Sequence, residues 1–169
     1  MKVRCVYTSY KDVIPSLDSN DYSYSSILHL AAMKEYIVYS IVELKADQKF
    51  KYLIVDETGL PDYRLSDLFE IVDAQLPLLD WHFSFGTEQH AVSWILGYDR
   101  LANDYEHFEG VILHDEKPLE EFWKWKKIVD RQYFGPEEEW ETVKADIDGV
   151  DIDFKRNRQT GECKNFRFL

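Results

Sequence analysis

Four carboxylates stand within the eight residues Asp146-Ile147-Asp148-Gly149-Val150-Asp151-Ile152-Asp153. That density suits a hard cation such as Ca²⁺, which takes roughly six to eight oxygen ligands. The spacing does not. With Asp146 as the first position of an EF-hand loop, Val150 falls on a ligand position and Asp151 falls where the sharp turn needs glycine. Asn157 then stands where the final glutamate belongs. In a strand, Asp151 and Asp153 instead form the wet side opposite Val150 and Ile152, so this segment is expected to be structural.

The five histidines are His29, His82, His90, His107 and His114. Zinc needs three or four converging ligands, and neither His-x₃-His nor His-Glu-x-x-His is present. His107 and His114 lie among Asp104, Glu106, Asp115 and Glu116. Folding could assemble a His/carboxylate site there, but the simpler expectation is exposed side chains on an acidic surface. His82 is expected to face away from the core. There is no Gly-x-Ser-x-Gly elbow for a nucleophile and no glycine-rich phosphate loop. Cys5 sits in an apolar strand pattern, where a thiol usually packs inertly. Cys163 precedes Lys164, a weak means of activation. No catalytic residue, metal site or cofactor is predicted.

Charge says more. The chain of 169 residues carries 32 acids against 20 Lys and Arg, a formal charge of −12. Nucleic acid and anionic membrane surfaces are poor partners for it, because affinity for phosphate grows with the number of cationic contacts. A basic protein is a good one, since an acidic field steers its approach. Residues 101–153 hold 16 acids and 6 Lys or Arg, whereas residues 155–169 hold five cations and one acid. Within the acidic stretch, Glu137, Glu138, Glu139 and Glu141 surround Trp140. Buried area from a Trp and steering from acids is a combination that interfaces favour. The predicted partner-binding residues are therefore Glu137, Glu138, Glu139, Trp140, Glu141, Asp148, Asp151 and Asp153.

The elements that must position these residues follow from periodicity. An apolar share of 45% with 5 Trp, 11 Tyr and 10 Phe supplies a core without disulfide staples. Two cysteines, no apolar run long enough to span a bilayer and no apolar leader give a cytoplasmic expectation. Residues 2–7 alternate as a strand, and residues 11–26 read as a loop. Residues 36–44 and 49–55 are β-branched and aromatic, which predicts a hairpin. Leu65, Leu68, Phe69 and Val72 have helical spacing, although 69–72 also reads as a strand. Trp81, Phe83 and Phe85 alternate, with 91–98 as the antiparallel partner.

Helices are predicted around 99–108 and from a cap at Asp115, the second with Leu119, Phe122, Trp123, Trp125 and Val129 on its apolar stripe. Gly135-Pro136 interrupts the chain. A short helix over 137–144 and a final hairpin, 150–155 with 165–168, complete the reading. Without a βαβ rhythm the class is α+β: one domain over 1–169, mainly antiparallel sheet with two or three helices packed on it.

The segments Tyr52-Leu53-Ile54-Val55-Asp56, Leu60-Pro61, Leu68-Phe69-Glu70-Ile71-Val72-Asp73, Leu76-Pro77 and Trp81-His82-Phe83, with Gly97-Tyr98 and His107-Phe108, resemble a family of bacterial proteins of uncharacterised function. The likeness spans about residues 50–130. In size and acidity the chain is similar to cytosolic immunity proteins of toxin–immunity systems. That resemblance implies a non-enzymatic inhibitor masking a basic partner such as a toxin. It brings no catalytic residues with it. The alternatives are a small enzyme or ligand-binding domain with a His/carboxylate or aromatic pocket, and an adaptor docking through helix 116–131.

Overall fold

A computed structural model describes residues 1–14, 28–46, 48–76, 81–134, 140–147, 150–157 and 163–168. The fold is α+β, and every strand pairing among the described residues is antiparallel. The backbone forms two compact units, Met1–Val129 and Asp130–Leu169.

In the first unit, β1 (Lys2–Cys5) is the centre of a three-stranded sheet, between β2 (Glu35–Ile37) and β6 (Phe69–Asp73). A short helix, α1 (Tyr10–Val13), is capped by Ser9, whose Oγ accepts from the Lys11 amide. The predicted hairpin forms as β3 (Ser40–Leu44) and β4 (Phe50–Val55), continued by β5 (Pro61–Leu65). With β7 (Trp81–Phe85) and β8 (Val92–Tyr98) these build a five-stranded sheet ordered β5-β4-β3-β8-β7. The helical spacing at 65–72 gives only one 3₁₀ turn, Ser66–Leu68, before β6. There the β-branched Ile71 pairs with Val3 in the β1 ladder, and Val72 falls at a register irregularity between Ile71 and Asp73.

Alternation decides what each face of the larger sheet holds. Ile41, Tyr52, Ile54 and Trp81 pack against Val3, Cys5, Tyr36 and Val38 in a cluster shared with the smaller sheet. On the other face, Tyr63 meets Phe108 of α3 (Tyr105–Leu113), which follows α2 (Asp99–Asn103). The helix α4 (Glu116–Phe134) places Phe122 fully in the core, edge-on to Tyr39, and lays Trp125 on Tyr98. Asp104 caps α3 by accepting from the His107 amide at 3.0 Å. His114 ends the helix in the left-handed region, at φ 61°.

The second unit contains the order β11-β10-β9: β9 (Trp140–Ile147), β10 (Val150–Asn157) and β11 (Cys163–Phe168). The final hairpin was legible. The helix expected over 137–144 is not what forms from residue 140 onward. Trp140, Thr142 and Val143 favour an extended backbone, and Val143 registers with Phe154 across the ladder. No helix among the described residues is long and apolar enough to cross a membrane.

Candidate functional site

The smaller sheet covers its side of the five-stranded sheet only as far as Ile41 and Tyr52. The next row lies beyond that cover. It runs Phe50–Glu43–Trp94–Phe85 across β4, β3, β8 and β7, because Glu43 registers with both Phe50 and Trp94, and Trp94 with Phe85. Directly opposed residues share a face. The rings therefore meet: Phe50 to Trp94 at 5.6 Å, Trp94 to Phe83 at 5.6 Å, and Phe83 to Phe85 at 4.9 Å. Phe50, Phe83 and Phe85 are 49%, 52% and 76% exposed. Single exposed apolar residues are ordinary, whereas these rings touch one another and form a contiguous group.

Glu43 stands inside this row, half-buried, with no ion pair among the described residues. The cations near it in sequence are committed elsewhere. Lys45 Nζ donates to the Thr87 carbonyl at 2.6 Å, and Lys49 Nζ lies 2.6 Å from Asp67. An acid is thus held among rings without a counter-charge from its own neighbours.

A bulge makes the arrangement possible. Between Glu43 and Leu44 the partner register on β8 jumps from Trp94 to Val92, leaving Ser93 unpaired in the β3 ladder. Residues two apart on a strand normally share a face; the extra residue separates them. Trp94 joins the aromatic row, while Val92 turns to the helical side. There Val92 lines an open apolar groove of about 360 Å³ with Leu44, Tyr105, Phe108, Glu109 and Leu113. The loop closing β7 and β8 fits this bulge closely. A Cβ on Gly86 would stand 1.9 Å from the Val92 carbonyl oxygen.

The histidines distribute differently from expectation. His107 is not a surface residue but only 3% exposed. It shares one face of α3 with Phe108 and Val111, and its Nε2 is hydrogen-bonded to the Tyr98 hydroxyl at 2.5 Å. Its Nδ1 is buried without a hydrogen-bond partner among the described residues. Burial pushes the imidazole pKa down, against the pull of the Glu121 carboxylate, and pushes the Tyr98 phenol far up. His114 is exposed as expected, its Nε2 donating to the Pro61 carbonyl at 2.9 Å. His82 lies half-exposed, 3.6 Å from Asp99, and His90 stacks flat on Tyr105. Cys5 is buried, and burial raises its thiol pKa. No three His, Cys, Asp or Glu among the described residues are placed to hold a metal ion.

Of the predicted binding residues, Glu137, Glu138, Glu139 and Asp148 lie outside the described residues. Trp140 and Glu141 begin β9, at register positions opposite Asn157 and Arg156. On β10, Asp151 is opposite Asp146, and Asp153 stands between Lys144 and Arg167 in the ladder. Sequence reasoning missed Glu43 and its rings. The only signal was a charged residue next to the last position of the strand Ser40–Leu44. No family model, curated protein or solved structure matches the chain.

Proposed function

We propose that this chain is a non-enzymatic acidic binding protein, an immunity-type inhibitor that masks a basic partner protein such as a toxin. The observation that supports this reading is the row Phe50–Glu43–Trp94–Phe85, in which exposed Phe50 and half-buried Trp94 flank an acid that has no counter-ion among the described residues. Rings supply area that loses little conformational entropy on binding, and hot spots are enriched in aromatic residues. The formal charge of −12 supplies long-range attraction for a cationic surface. The acids around Trp140 and on Asp148, Asp151 and Asp153 add to that field as a steering surface.

The test is affinity capture from cytosol with the tagged 169-residue chain, washed at low and then high salt. The Phe83→Ser/Phe85→Ser double variant runs in parallel. The reading expects one basic protein, retained at low salt, weakened at high salt, lost from the double variant, and inhibited in its own activity when both are purified. A partner held equally by wild type and double variant refutes the aromatic face as the docking surface. Reversing Glu137, Glu138 and Glu139 to Lys should slow association while leaving dissociation nearly unchanged, as long-range charge acts mainly on encounter.

A further inference from the structure

We infer that Glu43 receives a single arginine side chain of the protein partner, an assignment that rests on the aromatic face being the docking surface. Phe50 and Trp94, the residues registered on either side of Glu43, are both aromatic, and their rings stand 5.6 Å apart. A carboxylate in that setting attracts a cation, and its nearest lysines in sequence are already bonded to Thr87 and Asp67. Among the described residues no cation pairs with Glu43, so its counter-charge is left open to a partner.

The rings select the kind of cation. A guanidinium is planar, weakly hydrated and always charged. It can give two parallel N–H donors to the two carboxylate oxygens while its flat face rests on a ring. An ammonium is compact and strongly hydrated, so it loses more water on entering an aromatic row and cannot stack. Phe83 and Phe85 continue the apolar surface beyond Trp94, where they meet the methylene stem of the same arginine or its chain neighbours.

The experiment titrates the isotope-labelled full chain with three blocked tripeptides, Gly-Arg-Gly, Gly-Lys-Gly and Gly-citrulline-Gly, followed by NMR. The arginine peptide should move the Trp94 indole N–H and the Glu43 and Phe85 amides saturably. The lysine peptide should bind several-fold more weakly. Citrulline, with the same shape and no charge, should leave the signals in place. Glu43→Gln should lose about tenfold in affinity for the arginine peptide, as a charge-assisted bidentate pair becomes a neutral contact. Equal shifts from citrulline, unchanged affinity in Glu43→Gln, or no movement at the face would each overturn the inference.

Capture of the natural partner separates this claim from the broader one. If Glu43→Gln retains the partner fully while Phe83→Ser/Phe85→Ser releases it, the docking face stands and the arginine assignment falls. If both variants retain it, both readings fall.

Discussion

The Tyr98 hydroxyl and the His107 imidazole are bonded to each other at 2.5 Å, in a place where the histidine has almost no contact with water. Arg100, Asp104 and Glu121 are the charged groups around the pair. The fold holds His107 neutral, with its pKa below the free value of 6.5. The unfolded chain therefore takes up a proton that the folded chain refuses. This contribution to stability is complete above the unfolded pKa and is lost as pH falls through it. Urea unfolding at pH 7.5 and pH 5.5 should show lower stability at the acidic value. His107→Gln should narrow the gap; an unchanged gap would place the titration elsewhere.

Tyr98→Phe deletes the one hydrogen-bond partner that the His107 ring has among the described residues. The expected loss is about 1–3 kcal/mol, the usual cost of stranding a buried polar group. Trp125 still has a ring to stack on, so the near-ultraviolet circular dichroism of the folded variant should change little.

Arg64 and Asp56 form an ion pair with side chains 10% and 3% exposed, at 2.9 Å. Asp56 also accepts from the Thr58 amide at 2.9 Å, which ties the β4–β5 turn to the pair. Asp56→Ala leaves the guanidinium in the interior with Asp62, at 2.8 Å, as its one remaining ion pair among the described residues. The variant should lose about 3–5 kcal/mol in urea unfolding. Asp56→Ala with Arg64→Met should lose less than the sum of the two single changes, because removing both charges strands neither.

Gly86→Ala places a methyl carbon on the Val92 carbonyl oxygen, at a distance no real contact has. The backbone must move, so the change should cost about 1–3 kcal/mol, in the range of overpacked sites. It should also shift the Trp94 indole resonance through the bulge. Phe85→Ser, by contrast, removes a side chain that is 76% exposed. Its stability should stay within about 0.5 kcal/mol of the parent.

Strands whose alternation repeats over several residues were legible in the chain: Trp81, Phe83 and Phe85, the β3–β4 hairpin, and Val150, Ile152 and Phe154. The apolar stripe of α4 was legible too, since Phe122 and Val129 are buried where their spacing put them. Glu43 was not, because its second flanking ring, Trp94, reaches it through pairing between strands that lie far apart in sequence. Nor was the bulge at Ser93, since one unpaired residue leaves no compositional trace. His107 was misjudged from its acidic surroundings, yet its spacing with Phe108 and Val111 already placed it on the buried side of α3. The Glu137–Trp140 run misled for a different reason: its charges suggested a helix, while Thr142 and Val143, just beyond, were better suited to a strand.

The unpaired Ser93 has a bearing on how this protein could change over time. Because the strand skips a beat there, the buried residues of the helical side and those of the aromatic row are assigned to separate sides at neighbouring positions. Val92 and Ile95 are buried, while Trp94 between them is free to vary with Phe50, Phe83 and Phe85. A lineage could rewrite that outer row, exchanging the size of a ring or the sign at residue 43, without disturbing the interior. The fold would then serve as a fixed frame carrying a replaceable label.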